Sequence, residues 1–258
     1  MVRQIDHVVI GVRDLAGAST DYEALGFTVT PGGEHTGGAT HNALVSFRDG
    51  SYFELIAFTE PDQPQPHRWW SRVARGEGLV DFALLSGDLQ RESARLHEAG
   101  VTSEPRDGGR LRPDGQQIAW KSASLVSEPV VQLPFVIEDV TARDLRVPNG
   151  AATVHALGVT GIAGISVLVE ILDDSLPAFA ALLESEGEEH VSSIDGVTAA
   201  RRFWLGPHWL DVTQPIAGSA LAQHLVDRGE GPYEVALTGL DRPELSLAMS
   251  HGARLRAG

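Results

Sequence analysis

Apolar and polar residues alternate in short runs along this chain, and glycine-rich turns separate the runs, a pattern typical of β-strands. Residues 5–12 predict a buried strand. A helix follows from Asp14 to Gly26, a residue suited to a helix C-terminus. The glycine pairs Gly32-Gly33 and Gly37-Gly38 predict loops. Three further strands are predicted, at residues 27–30, 43–47 and 52–58. The order of elements in this first segment is therefore βαβββ.

The same order of elements returns further along the sequence, and such repeats define the architecture of a chain. A second copy has predicted strands at residues 79–85, 101–102, 117–121 and 133–137. A third copy has predicted strands at residues 162–169, 202–205 and 209–212. A fourth copy starts with a predicted strand at residues 233–237, followed by a helix that ends at Gly252, and it is incomplete.

One βαβββ unit leaves the concave face of its sheet uncovered, so such units are expected to pair. The sequence therefore predicts an α+β fold in which tandem βαβββ modules pair into two half-barrel cups, with the last module truncated. The first pair spans residues 1–140, and residues 60–75 link its two modules. The second, degenerate pair spans residues 155–258, and the predicted domain boundary is at residues 139–154.

Two polar residues, His7 and Glu54, interrupt otherwise apolar strands of the first segment. A buried histidine or carboxylate is costly unless a metal, a ligand or a hydrogen bond satisfies it. Glu54 faces away from Phe53 and Leu55 because side chains alternate along a strand. We expect His7 and Glu54 to face one sheet-lined cavity. The alternative for His7 is a histidine that faces the cavity and is held only by a hydrogen bond. The alternative for Glu54 is a salt bridge to Arg110.

The composition narrows the choice of partners and compartment. The 258 residues carry a net charge of −15, which argues against nucleic acid or an anionic membrane as a partner. The chain has no cysteine, which excludes disulfides, thiolate metal ligands and cysteine nucleophiles. We expect a cytoplasmic protein, because no apolar run is long enough to span a bilayer and the N-terminus does not read as a signal peptide.

The motifs of the first half resemble those of the vicinal oxygen chelate superfamily and, within it, of glyoxalase-like domain proteins. The matching segments are residues 5–9, 35–45, 49–56, 109–115 and 133–137, together with Trp120. The resemblance extends over residues 1–140. It implies a cup built from two βαβββ modules and a divalent metal ion held by their first and last strands. Substrates would chelate that metal through neighbouring oxygens.

The resemblance, carried over by position, implies His7, Glu54 and Asp81 as metal ligands. Asp81 lies eight positions before Leu89, as His7 does before Leu15. Three nitrogen and oxygen ligands suit a Mn²⁺, Fe²⁺, Zn²⁺ or Ni²⁺ ion, and a protein without a metal is equally compatible with the sequence.

Three departures from the family's pattern restrict the chemistry. Phe135 occupies the fourth ligand position, which argues against a standard glyoxalase I reaction. The second half offers Gly164 and Asp211 at the corresponding positions, so a catechol-cleaving site there is rejected. The fourth module, being incomplete, adds no ligands to that half.

Further residues are candidates for substrate binding. A glycine-rich stretch carries polar side chains that could contact a ligand or simply form a turn: His35, Thr40, His41 and Asn42. Arg110 could clamp a carboxylate or a phosphate through its planar guanidinium, or it could be a solvated hairpin residue. Trp120 could belong to the core, and Phe135 would line the cavity. Trp69-Trp70 could form a lid, a dimer surface or a packing contact.

These residues support two functional hypotheses. In the first, the N-terminal cup is a metal-dependent lyase, isomerase or oxygenase for a small oxygen-rich metabolite, with His7 and Glu54 in catalysis. In the second, the cup binds an aromatic or antibiotic-like small molecule without metal and without turnover. The second half could also be a structural partner that forms a homodimer through its unpaired strand edges.

Overall fold

The computed structural model describes residues 2–258, with Arg3 described only as backbone. The helices are α1 (Leu15–Leu25), α2 (Trp70–Arg75), α3 (Leu89–Glu98), α4 (Arg143–Arg146), α5 (Leu172–Leu183) and α6 (Ala220–Arg228). The strands of the first half are β1 (Val2–Gly11), β2 (Thr30–His35), β3 (Thr40–Ser46), β4 (Tyr52–Phe58), β5 (Gly78–Ser86), β6 (Thr102–Leu111), β7 (Gln117–Val126) and β8 (Phe135–Asp139). Those of the second half are β9 (Gly161–Leu168), β10 (Glu188–Glu189), β11 (Val197–Leu205), β12 (His208–Pro215), β13 (Gly231–Thr238) and β14 (Arg254–Ala257).

The first two modules close into one barrel with the strand order β1-β4-β3-β2-β6-β7-β8-β5. Within each module the first strand lies parallel to the last, as in the pairs β1·β4 and β5·β8. The modules meet at two antiparallel seams, β1·β5 and β2·β6. The second half forms an open sheet in the order β10-β11-β12-β9-β13-β14, which is one full module and the start of another. The predicted fold class of tandem βαβββ modules is confirmed.

Local sequence signals explain why the two modules of the barrel have the same shape. The Asp14 carboxylate accepts a hydrogen bond from the backbone of Ala16 at 3.0 Å, and the Asp88 carboxylate accepts one from Arg91 at 2.9 Å. Each aspartate thereby caps the helix that follows the first strand of its module. Gly26 ends α1 with φ 102°, a conformation that glycine adopts without strain.

The two halves of the chain share a hydrophobic core. One cluster of buried side chains contains Tyr22 and Phe53 from the barrel together with Phe179 and Leu255 from the second half. The Tyr22 hydroxyl also donates a hydrogen bond to the Ser250 carbonyl at 3.1 Å. The division into domains at residues 1–140 and 155–258 stays a prediction, and the packing joins the two parts tightly.

Three local predictions were wrong. The strand predicted at residues 27–30 is absent except for Thr30, which is the first residue of β2. Gly32-Gly33 belongs to β2 rather than to a loop, because the glycines let β2 approach its neighbours closely. No helix forms immediately before Gly252 within the described chain, where the structure has turns instead. Pro243 disfavours a helix at this point, and the Leu245 amide donates to the Leu255 carbonyl at 2.9 Å, which holds the segment beside β14. Helix α6, in contrast, was not predicted.

Replacing Gly33 with alanine should destabilise the barrel by about 3 kcal/mol in urea denaturation. Gly33 has φ 130°, and a Cβ there would overlap the carbonyl oxygen of Leu111 across the β2·β6 seam. Gly37→Ala is the matched control, because Gly37 also has a positive φ of 95° but open space around it. An equal loss of stability in the two variants would contradict the importance of the close approach at the seam.

Over residues 2–258, none of the helices combines the length and the apolar character that crossing a bilayer requires.

Candidate functional site

The barrel encloses a cavity of about 370 Å³ between its two modules. Most of the residues predicted to bind substrate line this cavity: His7, His35, Thr40, Asn42, Glu54, Arg110, Trp120 and Phe135. His41 and Asp81 are not among its lining residues. His41 lies between Thr40 and Asn42 on β3, so strand alternation turns its side chain away from the interior.

His7 and Glu54 meet at the inner end of the cavity. They belong to neighbouring parallel strands, β1 and β4, and the His7 Nε2 atom lies 3.4 Å from Glu54 Oε2. Both side chains are buried, and the His7 ring also stacks on Tyr52 with 4.6 Å between ring centroids. The expected shared cavity is therefore present, and the imidazole and the carboxylate are close enough to act on one bound molecule.

Glu54 is held between two histidines and an amide. Its Oε1 atom accepts a hydrogen bond from Asn42 Nδ2 at 2.6 Å and lies 3.3 Å from His35 Nε2. His35 in turn is fixed by a 2.8 Å contact between its Nδ1 atom and the Thr40 hydroxyl. Burial alone would raise the pKa of Glu54, but the hydrogen bonds from His35 and His7 outweigh it and hold the pKa well below its usual range. Glu54 is therefore ionised at physiological pH.

Asp6 supports His7 from the side opposite to the cavity. In the β1·β5 pairing Ile5 faces Leu84 and His7 faces Ala83, so Asp6 is an extra, bulged residue. A bulge redirects side chains, and here Asp6 Oδ1 lies 2.6 Å from His7 Nδ1. Burial lowers the pKa of His7, but the hydrogen bonds to Asp6 and Glu54 more than compensate, so that its pKa is raised. The position of His7 between two carboxylates therefore favours the positively charged form of its ring.

In the sequence, Asp6 stands out only as part of a strand motif. A charged residue next to His7 in an otherwise apolar strand is nevertheless a signal that Asp6 belongs to the site.

Arg146 is not among the residues that the sequence predicts for the site, because it lies in the predicted domain boundary. Its side chain is only 2% exposed and enters the base of the barrel. It donates hydrogen bonds to Asp6 at 2.8 Å and 3.0 Å and to the Tyr52 hydroxyl at 2.8 Å, and it is also paired with Asp139.

Asp81 has a different place from the one predicted for a metal ligand. Its carboxylate accepts a hydrogen bond from Trp69 Nε1 at 2.8 Å and forms an ion pair with Arg68. Asp81 thereby holds the segment around Arg68 and Trp69, which covers one side of the cavity. There the Arg68 guanidinium lies 4.7 Å from the centre of the Phe135 ring. Nearby, burial and the positive charge of Arg68 lower the pKa of His67 to about 4, so His67 is neutral at physiological pH.

The predicted metal set of His7, Glu54 and Asp81 is not assembled in this arrangement. Among residues 2–258, no group of three or more histidine, aspartate and glutamate side chains is arranged to hold a metal ion. The physical reason is that each candidate donor already has a protein partner: Asp81 has Arg68 and Trp69, and Glu54 has Asn42 and the two imidazoles. Metal binding stays a prediction.

The corresponding part of the second half is built differently. Asp211 accepts two hydrogen bonds at 2.7 Å from Arg202, and the indole of Trp209 lies directly over Gly164. The position that His7 occupies in the barrel is therefore covered by a tryptophan ring in the open sheet. The candidate site belongs to the first half of the chain.

Comparisons with known proteins agree with this architecture. In structure the chain is similar to a hypothetical protein from Staphylococcus aureus, with a TM-score of 0.72 and 12% identity over 98% of this chain and 99% of that one. It is also similar to a mutant of 4-hydroxymandelate synthase from Streptomyces coelicolor, with a TM-score of 0.60 and 14% identity over 92% of this chain and 71% of that one. At these identities the likeness shows the fold alone.

No curated protein sequence is significantly similar to the chain. The family model described as "Glyoxalase-like domain" matches residues 5–183, which include all of the barrel except the first residues of β1, and the start of the open sheet. The paired modules of the barrel are those that the resemblance to the vicinal oxygen chelate superfamily implied. The chain therefore belongs to the glyoxalase-like domain family.

Proposed function

We propose that the protein is an enzyme of the vicinal oxygen chelate type that transfers a proton on a small oxygen-rich metabolite in the barrel cavity. Glu54 is the base and His7 is the acid. The observation that carries the proposal is the buried pair itself, with His7 Nε2 at 3.4 Å from Glu54 Oε2 and Asp6 on the other ring nitrogen of His7.

The protonation states of the pair suit this division of roles. Glu54 is ionised, since its pKa is held well below the usual range, and only the ionised carboxylate can act as a base. The raised pKa of His7 favours its protonated form, in which both ring nitrogens can donate hydrogen bonds to the carboxylates of Asp6 and Glu54. Glu54 accepts a proton from the carbon next to a substrate carbonyl, and His7 donates its Nε2 proton to the carbonyl oxygen. An enol results. Glu54 then returns its proton to a carbon while the enol hydroxyl gives its proton back to His7, which completes the isomerisation and restores both side chains.

The surroundings of the pair strengthen its electrostatic interaction with a substrate. Strands of the closed barrel surround the cavity, and the rings of Trp69, Trp120 and Phe135 form part of its wall. The apolar part of the wall lowers the effective dielectric constant relative to water, so that a developing negative charge on the carbonyl oxygen is stabilised more strongly by a protonated His7.

A metal-dependent form of the proposal, with Mn²⁺, Fe²⁺, Zn²⁺ or Ni²⁺, would use the same donors. The nitrogen and oxygen donors of His7, His35 and Glu54 are of the kind that these ions accept. Both histidines contact the Glu54 carboxylate instead of pointing, together with it, at one metal position. Asp81 is bound to Arg68 and Trp69. The residues present therefore do not fit a three-ligand site, and the steps above use none.

A second candidate function is the binding of an aromatic or antibiotic-like molecule without turnover. The observation that favours it is the aromatic part of the wall, because Trp69, Trp120 and Phe135 offer flat apolar surfaces for stacking. The enzyme would exchange carbon-bound protons of a bound molecule with solvent, whereas the binding protein would not.

We expect the purified protein to exchange carbon-bound protons of a small carbonyl compound for deuterium in D2O, as measured by ¹H NMR on a panel of aldehydes, ketones and hydroxycarbonyl compounds. The reaction needs ionised Glu54 and protonated His7. Its rate should therefore fall as pH rises through the raised pKa of His7, above the usual value of 6.5.

Treatment of the protein with EDTA is expected to leave this exchange unchanged. A loss of exchange that Mn²⁺ or Zn²⁺ restores would instead favour the metal-dependent form. Compounds that bind, as shown by tryptophan fluorescence, but never exchange their protons would favour the binding protein and contradict the enzyme.

A further inference from the structure

Among the residues that the structure describes, Arg110 is a buried cation with no acidic partner. Its side chain lines the cavity and is only 4% exposed. It donates one hydrogen bond to the Arg146 carbonyl at 2.9 Å and approaches Asn42 Oδ1 at 3.5 Å, while its Nε atom has no hydrogen-bond partner. The other arginines that line the cavity are paired with carboxylates: Arg68 with Asp81, Arg106 with Glu104, and Arg146 with Asp6 and Asp139.

Burying the Arg110 guanidinium without a carboxylate partner lowers the stability of the protein when no ligand is bound. A buried charge is tolerated when an opposite charge and hydrogen bonds compensate for the loss of water. Burial lowers the pKa of Arg110, and its attraction to Tyr52 and Glu54 does not cancel that effect. The Arg110 guanidinium therefore has free donors in a cavity that could receive an anion.

Asn42 sets the distance between Arg110 and the proposed base. Its Nδ2 atom donates to Glu54 Oε1 at 2.6 Å, and its Oδ1 atom faces Arg110 Nη1 at 3.5 Å. One amide group thus separates the guanidinium from the Glu54 carboxylate, which prevents the salt bridge that the sequence left open. A carboxylate bound by Arg110 would place its neighbouring carbon beside Glu54.

We propose that the ligand of the barrel cavity is a small carboxylate whose carboxyl group binds Arg110 and whose adjacent carbon faces Glu54 and His7. This inference rests on the proposed function and names its substrate class. A planar guanidinium binds a carboxylate through two parallel hydrogen bonds. A phosphate dianion fits less well, because Glu54 and Asp107 also line the cavity and repel the second negative charge.

The test uses trifluoroacetate, a small fluorinated carboxylate, as a probe whose binding to the protein of residues 1–258 is followed by ¹⁹F NMR line broadening. We expect trifluoroacetate to bind, acetate to displace it, and acetamide and inorganic phosphate to displace it poorly. Arg110→Gln should weaken binding by about tenfold or more, since a hydrogen-bonded ion pair is lost. Arg110→Lys, which keeps the charge but not the planar fork, should give an intermediate loss.

Arg112→Gln is the matched control, because Arg112 lies on the same hairpin but pairs with Asp114 outside the cavity. It should leave binding of trifluoroacetate unchanged. The inference is overturned if trifluoroacetate does not bind, if it binds Arg110→Gln and the natural protein equally, or if phosphate is the better competitor. Failure of the proposed enzyme function has a different signature: the carboxylate binds through Arg110, but no carbon-bound proton exchanges in D2O.

Discussion

Glu54→Gln should reduce the rate of deuterium exchange by about 10²- to 10⁴-fold, the usual contribution of a positioned general base. Glutamine keeps the size of the side chain, and its amide oxygen can still accept the hydrogen bond that Asn42 donates at 2.6 Å. It cannot accept a proton from carbon. The expected result is therefore a protein that is folded and binds small carboxylates but has lost exchange, as measured by ¹H NMR in D2O.

Glu60→Gln is the control for this variant, because Glu60 is an exposed residue outside the cavity and the same charge is removed. Its exchange rate should equal that of the natural protein. The assignment of Glu54 as base would be wrong if Glu54→Gln kept its exchange rate. In that case the carboxylate would serve only to fix the two imidazoles that flank it.

The sequence predicts the fold and the inner end of the site because both depend on short-range patterns. Strand alternation fixes the face on which Glu54 lies, and the repeated βαβββ order with its capping aspartates fixes the pairing of the modules. His7 and Glu54 come together because the first and last strands of one module are neighbours.

The remainder of the site depends on contacts between distant parts of the chain. The bulge that turns Asp6 towards His7 arises from the register between β1 and β5, which the sequence of β1 does not encode by itself. Spacing identifies Asp81 as the counterpart of His7, but it cannot show that Arg68 and Trp69 of the preceding segment occupy the carboxylate.

Arg146→Met is expected to destabilise the protein by about 3–5 kcal/mol, the range found when one member of a buried ion pair is removed. Methionine fills much of the same space but leaves Asp6, which is fully buried, without two of its hydrogen bonds, at 2.8 Å and 3.0 Å. Urea denaturation measures the effect. Arg143→Met is the control, because Arg143 is 27% exposed and makes one ion pair with Asp6, so its loss should be smaller.

The pH dependence of this loss identifies Asp6 as its cause. Burial would raise the pKa of Asp6, but Arg146 and His7 hold it well below the usual value of 3.8. A depressed pKa in the folded state adds stability that is fully present above the unfolded pKa and is lost as pH falls through the folded pKa. The difference between Arg146→Met and the natural protein should therefore be constant near neutral pH and shrink below 3.8. A difference that is the same at all pH values would mean that Arg146 stabilises the barrel by packing alone. The double variant Asp6→Asn/Arg146→Met distinguishes loss of the ion pair from loss of packing. Arg146→Met should reduce the free energy of unfolding much less when the buried charge of Asp6 is already absent.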